Sequence, residues 1–172
     1  MTRDNFKAAF KAYTKGSVIM HIENRLSELG IELLPAVHPV ANYVGYQRAG
    51  DLLFFSGAGP MRDGIPTMTG RLGDDLTIEQ GYAAAREGAI NLLCALKAAV
   101  GDLDKVEQIV KVLGFVRCTD DFASQPAVIN GASDLFVEVF GDKGRHARAA
   151  VGTNALPMGT PVEVEMIVKV RE

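Results

Sequence analysis

The clearest alternation of hydrophobic and polar positions lies at residues 146–170. In residues 162–170 a valine or methionine occupies every second position, and Glu163 and Glu165 lie between them. A period of two residues is typical of a β-strand with one buried face. An earlier alternating run starts at His146, and a segment containing prolines and glycine separates the two runs. The pattern predicts two strands that pair as an antiparallel hairpin about the midpoint between residues 155 and 156.

In such a hairpin Arg148 lies directly opposite Glu163, on one face of the sheet. The pair has two interpretations. The two side chains could neutralise each other as a surface ion pair, which would contribute only about 0.5 kcal/mol. Alternatively, they could form a site, because a guanidinium pairs with a carboxylate through two parallel N–H groups and a glutamate can exchange protons. The spacing alone is consistent with both interpretations.

Two longer segments show the helical period of 3.6 residues. Thr77 and Gln80 have the spacing of a capping box at the start of the first, and Gly101 ends it. Gly141 ends the second, and Gly30 ends a shorter stripe at residues 22–29. The apolar stripes of the two long helices consist of Tyr82, Ala85, Ala89, Leu92, Leu93, Leu96 and Val100, and of Val128, Ala132, Leu135, Phe136, Val139 and Phe140.

The remaining strands are predicted at residues 43–48 and 52–56, joined by a turn at 49–51, and at residues 109–118. The last of these is apolar on both faces, which indicates a central strand. Two amphipathic helices can cover only one face of the resulting sheet. The other face carries Glu163, Glu165 and Ile167. This mixture of charged and aliphatic residues favours an interface between copies of the chain that encloses polar pockets.

Composition narrows the range of functions. The chain has 172 residues, a net charge of -3 and a pI of about 5.6, so it has no general attraction for nucleic acid. No apolar run reaches the ~18 residues of a membrane span. Cys94 and Cys118 are far apart in the sequence, and buried or idle thiols in a reducing compartment are favoured over a disulfide. We therefore expect a cytoplasmic protein without a membrane partner.

Residues 1–19 are predicted to form a basic amphipathic extension, followed by a single domain at residues 20–172. The extension could pack on its own domain or be frayed, or it could serve as a targeting or membrane-surface helix. Its composition favours the first two interpretations. The histidines, His21, His38 and His146, lack the spacing of metal ligands. His146 is notable only because it lies two residues before Arg148, so both side chains would point to the same face of the strand.

Several short segments, in order, resemble the YjgF/Rid family, the reactive-intermediate imine deaminases once named endoribonuclease L-PSP. They are LFFSG at 53–57, NL at 91–92, GDL at 101–103, ARAAV at 147–151, LP at 156–157 and VEVE at 162–165. The interval of 15 residues from Arg148 to Glu163 also matches the family. The resemblance, which spans about residues 43–170, implies a chorismate-mutase-like α+β fold. Its expected features are a mixed sheet of five or six strands, two main helices on one face, and a homotrimer with pockets between subunits.

The resemblance also implies roles for individual residues. Arg148 would grip the carboxylate of the substrate, and Glu163 would position a water molecule or exchange a proton with the imine nitrogen. Ala150 stands where many relatives have a cysteine, a change expected to alter the fit of the substrate more than the chemistry. The other positions assigned to substrate binding are Tyr43, Ser56, Gly57 and Asn130.

The expected activity is the hydrolytic deamination of reactive 2-imino or enamine acids to 2-oxo acids and ammonia, with no metal or organic cofactor. The expected partners are a small carboxylate or imino-acid substrate and two further copies of the chain. An alternative is a non-enzymatic trimer that binds a small carboxylate metabolite through Arg148. A third reading, ribonuclease, rests on the old family name, and the acidic pI and lack of a basic, aromatic-lined surface count against it.

Overall fold

The computed structural model describes residues 21–36 and 41–171. The predicted N-terminal extension and His38 lie outside these ranges. A short helix is followed by two strands, a small hairpin, a long helix, a strand, a second long helix and two strands. The elements are α1 (His21–Glu28), β1 (Tyr46–Ala49), β2 (Leu52–Phe55), β3 (Met61–Arg62), β4 (Ile65–Pro66), α2 (Ile78–Val100), β5 (Val106–Arg117), α3 (Gln125–Phe140), β6 (Ala147–Thr153) and β7 (Val162–Val170).

Five of the strands form one mixed sheet in the order β1-β2-β7-β5-β6. All neighbours are antiparallel except β5 and β6, which run parallel. Strands β3 and β4 form a separate two-stranded hairpin in the loop before α2. The α+β fold with five strands and two main helices is therefore confirmed.

The predicted hairpin between the last two strands is wrong. Strand β5 lies between β6 and β7, so Arg148 is level with Val112 and Glu163 is level with Phe115. The alternating pattern reports which face of a strand is buried, but it carries no information about the neighbouring strand. The long apolar β5 takes a partner on each side, which satisfies its backbone N–H and C=O groups along both edges.

The two long helices pack side by side on one face of the sheet. Helix α2 begins with the predicted capping box, in which Thr77 and Gln80 exchange side-chain and backbone hydrogen bonds. Gly101 and Gly141 adopt positive φ angles directly after α2 and α3. Most of the predicted stripe residues are buried, together with the alternate positions of β7 from Val162 to Val170. The pattern of residues therefore predicted the core correctly.

Among residues 21–36 and 41–171, no helix or loop covers the opposite face of the sheet. Phe54 and Val151 on this face are 41% and 42% exposed, and the side chains between them are partly exposed. A shallow depression of about 320 Å³ lies here. Its lining side chains on this face are Phe54, Lys111, Leu113, Glu165 and Ile167. Exposed aromatic and aliphatic side chains grouped around a few charged ones are typical of an interaction surface.

Helix α1 is attached to the rest of the domain through acidic side chains. The backbone N–H groups of His21 and Ile22 donate to the carboxylate of Asp104 at 2.8 and 3.2 Å. Glu23 forms an ion pair with Lys97 of α2. These carboxylates thus hold the first helix against the domain.

Two predictions from composition can be compared with the described residues. Cys94 and Cys118 are both free and buried, as predicted. None of the helices in ranges 21–36 and 41–171 is long and apolar enough to cross a bilayer.

Candidate functional site

Arg148 lies on the edge strand β6 and points toward α3. Its Nη1 atom donates hydrogen bonds to Asn130 Oδ1 and Ser133 Oγ, each at 2.9 Å. Asn130 and Ser133 are three residues apart on α3, so they lie on the same face of the helix, one above the other. The structure therefore brings Asn130, one of the predicted binding residues, into direct contact with the predicted carboxylate anchor.

His146 completes this group, which we call the Arg148 cluster (Asn130, Ser133, His146 and Arg148). Its Nε2 lies 3.0 Å from Ser133 Oγ, and its Nδ1 lies 2.6 Å from the carbonyl oxygen of Gly144. The imidazole also meets the ring of Phe136 edge-on, with centroids 5.8 Å apart. Burial, assisted by the positive charge of Arg148, lowers the pKa of His146, so the neutral imidazole is favoured. In the sequence, His146 was marked by its expected position on the same strand face as Arg148, whereas nothing marked Ser133.

Glu163 lies on β7 and points to the uncovered face of the sheet, because the valines on either side of it are buried against the helices. Its side chain lies across Gly57: a Cβ atom at this glycine would lie 2.7 Å from Glu163 Cδ and overlap the carboxylate. Reciprocal backbone hydrogen bonds of 2.9 Å between Ala58 and Val164 hold the two segments together. Glycine is needed at this position because any larger residue would occupy the space of the carboxylate.

Ser56 directly precedes Gly57 and is bonded to the chain that follows Tyr43. The hydroxyl of Ser56 donates to the carbonyl of Val44 at 2.7 Å, and its backbone N–H donates to Gly45 at 3.0 Å. The chain that follows Tyr43 is thus tied to the Ser56–Gly57 bend. The Tyr43 side chain is 59% exposed. We call Ser56, Gly57 and Glu163 the Glu163 cluster.

Helix α2 supports the Glu163 cluster from behind. Asn91 Nδ2 donates to the carbonyl groups of Gly59 and Met61 at 2.9 and 3.0 Å, which anchors the chain directly after the bend. This contact supplies a structural role for Asn91, which the sequence had marked only through its resemblance to the family.

The environment of Glu163 changes its acidity. Partial burial raises the pKa of this carboxyl, and the negative charge of Glu165 on the same face raises it further. A carboxylate with a raised pKa is a better proton acceptor than an ordinary glutamate. This is the property required of a group that activates water.

The two clusters do not meet within one chain. Arg148 and Glu163 are offset by three positions along β5, roughly 10 Å, and lie on opposite sides of this strand, roughly 10 Å apart. They also project from opposite faces, since Arg148 contacts α3 and Glu163 projects away from the helices. The interpretation of the two residues as a cross-strand ion pair is therefore wrong for the single chain.

Comparisons with known proteins agree with this architecture. Residues 23–169 match the family described as "YjgF/chorismate mutase-like, putative endoribonuclease". Protein TCP17 of Trypanosoma cruzi is 47% identical over 145 residues, which cover 84% of this chain and 91% of that protein. Among solved structures, Atu1372 of Agrobacterium tumefaciens is 44% identical with a TM-score of 0.82, covering 87% of this chain and 92% of its own. A "putative endoribonuclease" of Shewanella oneidensis is 33% identical with a TM-score of 0.83, and the match covers 87% of this chain and 99% of that one. The chain therefore belongs to the YjgF/chorismate mutase-like family.

Proposed function

We propose that this protein is a homotrimeric deaminase that hydrolyses small 2-imino acids to 2-oxo acids and ammonia in pockets between subunits. The observation that supports the proposal is that Arg148 and Glu163 project from opposite faces of the sheet and do not meet within one chain. We assign the Arg148 cluster to anchoring the substrate carboxylate and the Glu163 cluster to proton exchange. Each cluster alone lacks what the reaction needs. A neighbouring copy supplies the missing half.

A closed ring of identical subunits brings unlike surfaces together, because every interface joins one surface of a copy to a different surface of the next. In this assembly the Arg148 cluster of one subunit faces the Glu163 cluster of the next. The uncovered sheet face supplies the apolar contact area, through residues such as Phe54 and Val151. Its burial removes an exposed hydrophobic surface from water, which stabilises the ring.

Arg148 suits the recognition of a 2-imino acid because the substrate carries a carboxylate next to the reacting carbon. A planar guanidinium binds a carboxylate through two parallel hydrogen bonds and so fixes its orientation as well as its position. The carbon of the C=N bond is then held at a defined place in the pocket. Lysine would provide the charge without the planar arrangement of donors.

Glu163 suits the remaining chemistry. Water adds to the imine carbon with Glu163 as the base that receives its proton, and the same proton is delivered to the nitrogen. In the resulting carbinolamine the hydroxyl proton passes through Glu163 to the amine nitrogen, the C–N bond breaks to release ammonia, and the C=O bond of the 2-oxo acid forms. One water is consumed for each ammonia released, and the enzyme ends in its starting protonation state. The raised pKa of Glu163 makes its carboxylate a better acceptor for the proton of the attacking water.

The test is a coupled assay in which a pyridoxal-dependent dehydratase generates 2-iminopropanoate and the release of the 2-oxo acid is followed. We expect this protein to accelerate release, Arg148→Ala to abolish the effect, and Glu163→Gln to lower turnover by about 10²-fold while retaining 2-oxobutanoate binding. Arg148→Lys should rescue poorly. Arg145→Ala and Glu107→Gln are matched controls, since both side chains are exposed partners of surface ion pairs.

Two outcomes would redirect the proposal. Near-normal turnover in folded Arg148→Ala protein contradicts the deaminase assignment. If the wild type binds 2-oxobutanoate but accelerates no imine hydrolysis, and only Arg148→Ala loses binding, the protein is instead a binder of small carboxylates.

A further inference from the structure

The hydrogen bonds of Arg148 leave a defined part of its guanidinium group available. A guanidinium has five N–H groups, of which two belong to Nη1. Asn130 and Ser133 both accept from Nη1 of Arg148. Within the described part of the chain, Nε and Nη2 make no hydrogen bond, so their three N–H groups remain for a ligand. Two of these N–H groups point in parallel along the Nε–Nη2 edge. A carboxylate pairs with such an edge through both of its oxygens.

The hydroxyl group of Ser133 can hold Arg148 in this way only if its own hydrogen points elsewhere. A carbonyl oxygen cannot donate, so the contact of 2.6 Å with Gly144 requires a hydrogen on Nδ1 of His146. In the neutral ring Nε2 then carries no hydrogen and accepts from Ser133 at 3.0 Å. The hydroxyl hydrogen is thereby directed toward His146, and a lone pair of Ser133 is directed toward Arg148.

The imidazole itself is held in place. Its edge-on contact with Phe136 and its bond to the backbone of Gly144 restrict the ring from two directions. Burial and the charge of Arg148 lower the pKa of His146, which favours the neutral form that this chain of hydrogen bonds requires. An ordered sequence of donors and acceptors therefore leads from the backbone of Gly144 to the guanidinium.

We propose that His146, acting through Ser133, is a positioning residue that locks the guanidinium of Arg148 so that its Nε–Nη2 edge faces the carboxylate of the ligand. The carboxylate in this statement rests on the proposed function, whereas the locking itself does not. Arg148 would otherwise rotate about its side-chain torsions and lose part of its orientation on binding.

Two substitutions of His146 separate this role from simple packing. In His146→Gln the side-chain oxygen can reach the former position of Nε2 and accept from Ser133. In His146→Asn the shorter amide can replace only the Nδ1 donor. Both variants lose the ring contact with Phe136, but His146→Gln keeps the acceptor for Ser133 and His146→Asn keeps the donor to Gly144. Ser133→Ala removes the link directly, and alanine is compatible with the helix.

The readout is the NMR spectrum of protein labelled with ¹⁵N-arginine, with the Arg148 signals assigned by their loss in Arg148→Lys. We expect separate Nη signals, which indicate restricted rotation, in the wild type and His146→Gln, and averaged signals in His146→Asn and Ser133→Ala. Calorimetric titration with 2-oxobutanoate should show affinity about three- to tenfold weaker in the latter two variants and nearly unchanged in His146→Gln.

The outcomes distinguish this proposal from the proposed function. Averaged Arg148 signals in the wild type, or identical signals in all variants, would overturn the locking role. The expected NMR pattern in a protein that neither binds 2-oxobutanoate nor hydrolyses imines would support the locking role and remove the deaminase proposal.

Discussion

Glu163 combines partial burial with a neighbouring negative charge, and both make its ionised form less stable in the folded protein. Because its pKa is raised on folding, the folded state holds this proton more tightly than the unfolded state does. The contribution of protonated Glu163 to the stability of the fold is fully present below the pKa that this residue has in the unfolded chain. It is lost as the pH rises through the raised pKa of Glu163 in the folded protein. The group proposed to act on water thus destabilises the fold at neutral pH.

Glu163→Gln should therefore change how stability depends on pH. The variant cannot ionise at this position, so we expect its melting temperature to exceed that of the wild type near pH 8 and the difference to disappear near pH 4. Thermal melts across this range provide the measurement. Glu107→Gln serves as the control and should show no gain, because Glu107 forms an ion pair with Lys169 at 3.0 Å. A wild type that becomes relatively more stable with rising pH would contradict the prediction.

Gly57 tests whether the position of the Glu163 carboxylate matters. In Gly57→Ala the new methyl group would overlap the far part of a flexible side chain, so Glu163 should turn away at little cost in stability. We expect imine hydrolysis to fall about as far as in Glu163→Gln, with no further loss in the double variant. Gly45→Ala is the control, since a Cβ there meets no atom within 4 Å. Additive losses in the double variant would show that Gly57 acts independently of Glu163.

At the scale of elements, the contact between α2 and α3 positions the Arg148 cluster, because Asn130 and Ser133 lie on α3. Polar contacts join the two helices: Tyr82 donates to Asp134 at 3.0 Å, and Arg86 pairs with Glu138 at 2.6 Å. A Cβ atom at Gly131 would overlap the backbone carbonyl of Tyr82 and lie 2.9 Å from its carbon. The helices approach this closely because position 131 has no side chain.

Gly131→Ala should accordingly destabilise the protein, although alanine favours an isolated helix by about 0.5–1 kcal/mol over glycine. The overlap involves backbone, which cannot rotate away, so α3 must shift at a cost of about 1–3 kcal/mol. Unfolding in denaturant measures whether the substitution raises or lowers the free energy of unfolding. The expected result is a lower free energy of unfolding, and an increase would mean that the two helices separate easily at this point.

At the scale of the whole molecule, the separation of the two clusters predicts complementation between inactive variants. Arg148→Ala and Glu163→Gln chains are refolded together, and light scattering should show particles with three times the chain mass of 18.4 kDa. In a ring with random mixing, about one quarter of the pockets receive Arg148 from one chain and Glu163 from the next. We expect about this fraction of wild-type activity, well above either variant refolded alone. Verified mixed trimers without recovery would exclude a pocket shared in this way.

The sequence by itself determined the features that depend on local patterns. The period of two in residues 162–170 predicted which side chains of β7 are buried, and the capping box at Thr77 and Gln80 predicted the start of α2. Both signals work because side-chain direction and helix termination depend on residues only a few positions apart. Family resemblance added the identities of the residues expected in the site, including Arg148 and Glu163.

The tertiary structure alone decided which strands are neighbours and which site residues meet. A strand with one buried face can pair with any other strand of suitable pattern, so the alternation at residues 146–170 was equally consistent with the hairpin, which is wrong. Placing β5 between β6 and β7 separated Arg148 from Glu163 and brought Arg148 to Ser133, 15 residues earlier on α3. Such contacts depend on the pairing of the whole sheet and the packing of a helix upon it, and no local pattern in the sequence records them.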